Sequence, residues 1–269
     1  MKELLSLLKR FFGYTSFRPL QAEIIQRTLQ KEDSLVLMPT GGGKSICFQL
    51  PAIYMPGTAI VVSPLIALMK DQVEGLIANG IPAATLNSMM PEEERHRVRQ
   101  LCIQGKVKLL YISPEGIISE LHWLLPRIDI SLIAIDEAHC ISHWGHDFRP
   151  EYLMLSKFLN KFLDRVTFLG FTATANYTVV EDIQQQLKIP QQNIFSPIAF
   201  EKYNVSYHFQ GLNSFDEMIE QVCEVVSSQI QRNERTLVFT KNDEISYQVA
   251  QAIGYEADVF QKDNTYAYH

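Results

Sequence analysis

Short runs of apolar and β-branched residues alternate along the chain with longer stretches of helical periodicity. Five runs predict strands: SLVLM at 34–38, TAIVVS at 58–63, VKLLYI at 107–112, SLIAID at 131–136 and VTFLGF at 166–171. The remaining stretches predict helices within 1–14 and at 19–30, 44–54, 64–78, 91–104, 150–163 and 176–187. Apolar strands that alternate with helices are typical of a parallel sheet buried on both faces. The predicted fold class is therefore α/β.

The pattern changes after Pro190. The segment 191–209, QQNIFSPIAFEKYNVSYHF, predicts an irregular connection followed by one extended segment. We place a domain boundary near residue 200, which gives domains at 1–200 and 201–269. The second part predicts a helix at about 214–231, a buried strand TLVFT at 236–240, one further helix and a polar, aromatic tail. Because an independent α/β domain usually needs about 100 residues or more, we interpret 201–269 as an incomplete domain.

Composition narrows the classes of protein that fit. The 269 residues are 46% hydrophobic and 20% charged, which is typical of a globular protein, and the net charge is -6. That charge excludes a basic footprint over the whole chain, so any DNA contact must come from a local surface. The four cysteines form no CxxC pair, so we predict buried thiols in a cytosolic protein and no zinc site. No apolar window approaches the ~18 residues of a membrane span, so we predict no membrane contact.

A glycine-rich loop joins the first predicted strand to a helix. Strand 34–38 runs into PTGGGKS at 39–45, and a helical pattern follows. Glycines let backbone N–H groups surround the phosphates of ATP, Lys44 adds a positive charge, and the Ser45 hydroxyl can bind Mg²⁺. The predicted phosphate-binding residues are Thr40, Gly41, Gly42, Gly43, Lys44 and Ser45. Met38 replaces the first glycine of the general pattern, and a turn that merely precedes Lys-Ser is the alternative.

Acidic residues follow the predicted strand 131–136. The sequence there is Asp136-Glu137-Ala138-His139. Open parallel sheets bind ligands at the carboxyl ends of their strands, where an aspartate can hold Mg²⁺ and a glutamate can polarise the attacking water. We predict Asp136 as the Mg²⁺ residue, and Glu137 with Lys44 and Asp136 as the catalytic group. A solvated strand end is the alternative, and His139 is predicted to pair with polar neighbours rather than with a metal.

The segment DEAHCISHWGHDFRPEY at 136–152 resembles the DEAH motif and aromatic-rich loop of RecQ helicases. Five further motifs occur in matching order: FRPLQ at 17–21, MPTGGGKS at 38–45, VVSPLIALMKDQV at 61–73, YISPE at 111–115 and GFTATA at 170–175. The resemblance covers residues 14 to about 176. It implies a RecA-like domain of helicase superfamily 2, followed by an incomplete second RecA-like domain. His143 is a local departure within the loop.

The resemblance also implies roles for individual residues. Gln21 would read the adenine edge, and Arg18 or an aromatic neighbour could flank the base, although an ordinary surface glutamine at a helix start is the alternative. Trp144, His146, Phe148 and Arg149 would contact single-stranded DNA and couple it to ATP hydrolysis, because aromatic faces and guanidinium groups stack on unpaired bases. For Trp144, a hydrophobic cluster that anchors the next helix is the alternative.

Polar residues at other predicted strand ends complete the candidate site. Ser63-Pro64 and Ser113 could donate to a DNA backbone, although each could equally begin a helix. Thr172 and Thr174 could connect the nucleotide edge with a cleft between domains. Capping of the following helix is the alternative for Thr174.

The sequence predicts part of an ATP-driven 3′-to-5′ DNA helicase of repair or recombination, acting on single-stranded and partly duplex DNA. Family members resemble a clamp in which a second RecA-like domain supplies arginine fingers, and no such motif follows here. An arginine finger contributes ~10³ to 10⁵ in rate, so we expect the chain alone to bind ATP and Mg²⁺, hydrolyse ATP slowly and not unwind DNA. The predicted location is cytoplasmic, nucleoid-associated in a bacterium. Two alternatives are a nucleotide- or DNA-binding module or gene remnant completed by a partner chain, and a small-molecule kinase.

Overall fold

The computed structural model describes residues 1–120, 122–145, 148–162, 166–196, 206, 208 and 210–256. Its contacts divide the chain into two compact units, Met1–Glu201 and Lys202–His269. Each unit is described separately below.

The first unit is built around a seven-stranded parallel sheet. The strands are β1 (Ser34–Leu37), β2 (Thr58–Val62), β3 (Ala83–Leu86), β4 (Leu109–Ile112), β5 (Ile130–Ile135), β6 (Thr167–Thr172) and β7 (Ile194–Phe195). The helices are α1 (Lys2–Phe12), α2 (Gln21–Leu29), α3 (Lys44–Tyr54), α4 (Ile66–Ala78), α5 (Glu92–Ile103), α6 (Pro114–Glu120), α7 (Pro150–Phe162) and α8 (Tyr177–Leu187). The spatial order β3-β4-β2-β5-β6-β1-β7 places β2, β5, β6 and β1 at the centre.

Alternate residues of each central strand enter cores on opposite faces of the sheet. In β1, Leu35 belongs to a core formed with α5 to α8, whereas Val36 belongs to a core formed with α2, α3 and α4. Both residues are fully buried. Successive side chains of a strand point to opposite faces, so a strand covered on both sides must be apolar throughout. This geometry explains the continuous apolar runs in the sequence.

A third, smaller core fixes the helices that flank the first strand. Leu4 and Leu8 of α1 pack with Ile25 of α2 and with Ile46 and Leu50 of α3. Since α3 begins directly after the glycine-rich loop, this packing fixes the end of that loop.

The predicted α/β class, the five predicted strands and the predicted helices of the first unit are confirmed, with ends that differ by at most two residues. Among the strands and α-helices described in this unit, three were missed: β3, α6 and β7. Strand β3 is an edge strand with partly exposed alanines, α6 has only seven residues, and β7 has two. Short or edge elements bury too little surface to leave a clear pattern. Part of the predicted irregular connection is thus a strand, β7, paired with β1.

The second unit contains α9 (Phe215–Gln231) and α10 (Asp243–Glu256), which pack through Cys223, Val226, Val249 and Ile253. Both helices were predicted, and Ser214 caps α9 by accepting a hydrogen bond from the backbone N–H of Glu217. The prediction of a buried strand at 236–240 is wrong: the segment is not a strand, and Phe239 is 87% exposed. The described residues of this unit contain no strand to pair with it, and an isolated strand leaves its backbone groups unpaired.

The extended segment predicted after the connection and the aromatic tail to His269 lie outside the described residues. No helix among the described ranges has the length and apolar character needed to cross a membrane.

Candidate nucleotide-binding site

The parallel sheet brings most of the candidate residues to one edge. The glycine-rich loop follows β1, Ser63 follows β2, Asp136 follows β5, and Thr172 ends β6. Backbone hydrogen bonds continue the sheet beyond the strands, since Asp136 N donates to Val62 O over 2.8 Å. This is the edge at which open parallel sheets bind ligands.

Positive φ angles shape the glycine-rich loop. Gly41 has φ 77° and Gly43 has φ 90°, and Gly42 N donates to Pro39 O over 3.0 Å. The positive φ of Gly43 favours glycine, and a Cβ atom there would lie 2.4 Å from Gln21 Nε2, so the Gln21 amide would have to shift. Helix α3 begins directly afterwards at Lys44, where its first N–H groups and positive dipole end favour an anion.

Met38, which departs from the general motif, packs in the core against the glycine-rich loop. Its side chain is 4% exposed and belongs to the core, and a Cβ atom on Gly42 would lie 2.7 Å from Met38 Cγ. The Met38 carbonyl accepts a hydrogen bond from Lys44 Nζ over 3.1 Å. Lys44 thus contacts the backbone of residue 38 and not its side chain. This contact does not require glycine at position 38.

Gln21 and Arg18 hold the loop from the side. Gln21 Oε1 accepts from Arg18 N over 2.8 Å, and Gln21 Nε2 donates to Gly43 O over 3.0 Å. The Arg18 guanidinium donates to Gly41 O. The Gln21 amide keeps one further N–H and one further lone pair, which are the groups that an adenine edge would need. The side chain is only 3% exposed, so the alternative of an ordinary surface glutamine is excluded.

Asp136 and Glu137 are held by contacts that differ from those of an exposed strand end. Asp136 Oδ2 accepts from Ser63 Oγ over 3.5 Å, and Tyr152 Oη donates to the Asp136 carbonyl over 3.0 Å. Glu137 has the left-handed φ of 49°, a strained conformation for a glutamate. Burial raises the pKa of Asp136, the charge of Glu137 raises it further, and Lys44 opposes both effects. Lys44 and Asp136 thus interact across the same site.

One cavity of about 820 Å³ contains these groups. Among the predicted nucleotide residues, it is lined by Arg18, Gln21, Thr40, Gly41, Gly43, Lys44, Ser45, Asp136 and Glu137. It also contacts residues 12–16, which were not predicted as site residues. The sequence feature that could have indicated these residues is the presence of two aromatic residues, Phe12 and Tyr14, just before the FRPLQ motif. The volume falls in the range of small-molecule sites.

The serines predicted as DNA contacts are both buried, at 2% exposure each. Ser63 lines the same cavity as Asp136, and Pro64 after it is half-buried. Ser113 Oγ accepts from Gly116 N over 3.3 Å and thus caps the start of α6, the alternative considered for it. A DNA role for these residues stays a prediction.

A short 3-10 helix at Ala138–Ile141 connects the acidic residues to the aromatic loop. As expected, His139 pairs with polar neighbours: Nδ1 lies 3.1 Å from Thr172 Oγ1 and 3.2 Å from Glu137 Oε2. Thr172 Oγ1 also accepts from Thr174 N over 3.2 Å. Asn176, not Thr174, caps α8, since its side chain accepts from Val179 N. The alternative of Thr174 as the cap is therefore wrong.

The aromatic loop presents Trp144 outwards. This side chain is 71% exposed, which rules out the alternative that it anchors the next helix in a hydrophobic cluster. Tyr152 and Leu155 of α7 occupy the core instead. The rings of His143 and Phe148 lie 4.1 Å apart between centroids, and Arg149 N donates to Cys140 O. His146 lies outside the described residues.

Comparisons with known proteins agree with this arrangement. Residues 18–183 match the family model described as DEAD/DEAH box helicase. The chain is 43% identical to the ATP-dependent DNA helicase RecQ of Pasteurella multocida, over 84% of this chain and 35% of that protein. It is 46% identical to the RecQ helicase of Haemophilus influenzae, over 76% of this chain and 33% of that protein. The chain thus spans about a third of the length of these relatives.

The fold also matches a solved structure, that of the DUF1998 helicase MrfA bound to DNA. The TM-score is 0.70 at 16% identity, over 98% of this chain and 39% of that one. At this identity the likeness concerns the fold alone. The family match excludes the small-molecule kinase alternative. The order of the motifs, their arrangement along one sheet edge and the similarity to RecQ proteins lead to one conclusion: the chain belongs to the DEAD/DEAH box helicase family and contains the N-terminal domain of a RecQ-family helicase.

Proposed function

We propose that this chain is the ATP-binding portion of a RecQ-like 3′-to-5′ DNA helicase, which couples ATP hydrolysis to movement on single-stranded DNA during repair or recombination. The single observation that carries the proposal is the shared cavity. Residues from α2, the glycine-rich loop and the end of β5 meet there although they are far apart in sequence. The domain division at residue 200 and the cytoplasmic location belong to the same proposal.

The chemistry of each group supports binding of a nucleoside triphosphate. The loop N–H groups, the N-terminus of α3 and Lys44 favour the phosphates, while Arg18 and Gln21 lie at the side where a base would fit. Glu137, with its carboxylate beside His139, would orient a water molecule for attack on the terminal phosphate.

The donor set also fits Mg²⁺. The Ser45 hydroxyl and the Asp136 carboxylate line the same cavity, and oxygen atoms are the ligands that Mg²⁺ prefers. These two residues would hold the ion, and when bound it would neutralise charge on the phosphates. The charge of Lys44 opposes protonation of Asp136, against the burial and the charge of Glu137 that raise the pKa of this carboxyl group.

DNA would bind through the aromatic loop. The exposed indole of Trp144 provides a face on which an unpaired base can stack, with Phe148 and Arg149 nearby in the chain. Because the loop follows Glu137 after only the short 3-10 helix, movement of the loop can reach the catalytic residues directly.

The test is nucleotide binding followed by turnover. The chain should bind a fluorescent ATP analogue in the presence of Mg²⁺, and Lys44→Ala should weaken this by about 100-fold, because a charge-assisted contact and the charge itself are lost. Lys106→Ala is the matched control, since Lys106 is exposed and outside the cavity. Equal affinities of both variants would contradict the proposal.

Turnover with and without oligo-dT separates the proposed enzyme from its alternative. Binding with slow turnover is the expected result for the chain alone. Binding of nucleotide and oligo-dT that yields turnover only after a partner chain is added would favour the binding module. Rapid DNA-stimulated hydrolysis or strand separation by the chain alone would contradict the expectation that a second domain is needed.

A further inference from the structure

The base of the aromatic loop contains a buried polar contact that the proposed mechanism does not use. Ser142 is fully buried, and its Oγ donates to Asp182 Oδ2 over 2.7 Å. The same Oγ accepts from the backbone N–H of Trp144 over 3.2 Å. A hydrogen bond to a carboxylate is among the stronger kinds, and here it joins the loop to a different helix.

The loop itself is a tight turn with little freedom at its base. Ser142 N donates to His139 O, and Gly145 N donates to Ser142 O, each over 3.1 Å. A Cβ atom on Gly145 would lie 2.5 Å from His139 O, so the turn packs directly on the 3-10 helix that follows Glu137. The Trp144 ring projects from this turn, and its direction therefore depends on what holds Ser142.

The other partner lies on a rigid element. Asp182 belongs to α8, whose Val179, Ile183 and Leu187 are buried in the core of the first unit. Between the loop and the start of α8 is a cavity of about 220 Å³, lined by Trp144, Gly145, Thr174, Ala175, Asn176 and Val179. The Ser142–Asp182 contact thus holds together the two walls of this cavity.

We infer that Ser142 and Asp182 are positioning residues that set the direction of Trp144 relative to α8. The Ser142 hydroxyl bonds both to Asp182 of α8 and to the backbone N–H of Trp144. The position of α8 therefore constrains the position of the Trp144 backbone. Loss of the contact releases the loop tip while the nucleotide cavity, which contains neither residue, keeps its shape. The link from this geometry to DNA affinity rests on the proposed function, whereas the link to loop order does not.

Intrinsic fluorescence provides a direct test, because the chain has only two tryptophans, Trp123 and Trp144. In a Trp123→Phe parent, all tryptophan emission comes from the loop. Ser142→Ala and Asp182→Ala should each lower the anisotropy of Trp144 and weaken oligo-dT binding by about tenfold, as expected for a lost hydrogen bond to a charged group. Affinity for the fluorescent ATP analogue should stay within twofold of the parent.

Two further variants make the test specific. Asp182→Asn should keep the anisotropy and oligo-dT affinity close to those of the parent, because an amide oxygen still accepts from the Ser142 hydroxyl. Glu181→Ala removes an exposed acidic residue from the same helix and should change neither measurement. Combining Ser142→Ala with Asp182→Ala should add nothing to Ser142→Ala alone, since the serine change already removes the contact with Asp182.

Unchanged anisotropy in Ser142→Ala and Asp182→Ala would overturn the inference. So would a parallel loss of thermal stability, ATP-analogue affinity and anisotropy, which would assign the pair to stability alone. A parent that binds neither the ATP analogue nor oligo-dT would contradict the proposed function, and the anisotropy would still decide the role of the pair.

Discussion

Two loops follow parallel strands of the same sheet but present opposite kinds of surface. The glycine-rich loop after β1 turns inward and is held by contacts from Gln21 and Arg18 to its carbonyl groups. The loop after β5 turns outward and exposes Trp144. The first loop presents mainly backbone groups, whereas the second presents a side chain. A small anion is bound best by converging N–H groups, and a base is bound best by an exposed aromatic face.

The two loops also differ in the contacts that determine their conformations. The glycine-rich loop depends on its own φ angles, which glycine allows. The aromatic loop depends on one partner distant in sequence, Asp182, and on the nearby His139 carbonyl. Glu137 lies in the cavity of the first loop and at the start of the segment that leads to the second. It is therefore the residue at which the two loops are expected to communicate.

The largest expected effect comes from Glu137→Gln. Loss of a general base typically lowers turnover by ~10²- to 10⁴-fold, while the uncharged isostere keeps the space filled. Single-turnover hydrolysis with excess protein should show this loss, and ATP-analogue affinity should stay within a few-fold. Glu115→Gln, which changes an exposed glutamate in the first turn of α6 outside the cavity, is the control. Hydrolysis that is equal in both variants would remove Glu137 from the catalytic role.

A smaller effect is expected from Trp144→Ala, which separates the two loops functionally. Stacking on an aromatic side chain contributes ~1 to 3 kcal/mol per base, so oligo-dT affinity should fall by about tenfold to 100-fold. The ATP-analogue affinity should not change, because Trp144 lies outside the nucleotide cavity. Fluorescence polarisation of labelled oligo-dT measures the first quantity. Trp123→Ala is the control, since that ring lies over Arg99 and Arg127 instead; equal losses in both variants would argue against stacking by the loop.

A third effect, of similar size, concerns the stability that the glycine-rich loop gives to the fold. Gly43→Ala should lower the free energy of unfolding by ~1 to 3 kcal/mol, because a Cβ atom there meets both an unfavourable φ and Gln21. Gly105→Ala has a similar positive φ of 67° but no atom within 4 Å, so it measures the backbone strain alone. Urea unfolding of both variants gives the difference. If Gly105→Ala costs as much as Gly43→Ala, the Gln21 contact does not constrain the loop.

The sequence predicted the glycine-rich loop well because its determinants are local. A strand, a set of glycines and a helix start lie within residues 34–54, so their order alone indicates the structure. Met38 could not be interpreted in the same way. Its role beneath Gly42 depends on the side chain being folded back into the core, which the motif does not encode.

The contacts that support the acidic residues could not be predicted. Tyr152 appeared in the sequence only as the last residue of the motif-bearing segment, yet its hydroxyl contacts the Asp136 carbonyl. Gln49 and Tyr111, whose side chains are 2.9 Å apart, join α3 to β4 with no signal in their spacing. Such pairs form only after the sheet has brought distant segments together.

The sequence alone predicted the α/β class, five of the seven strands of the sheet and the residues proposed to bind phosphate and Mg²⁺. Periodicity and short motifs are properties of neighbouring residues, so they can be recognised without the fold. The tertiary structure decided that Gln21 supports the glycine-rich loop, that Ser63 faces Asp136, and that Ser142 holds the aromatic loop to α8. It also decided that the apolar segment 236–240 is not a strand among the described residues. A hydrogen bond needs two partners in register, and whether the second partner is present depends on the fold rather than on the local pattern.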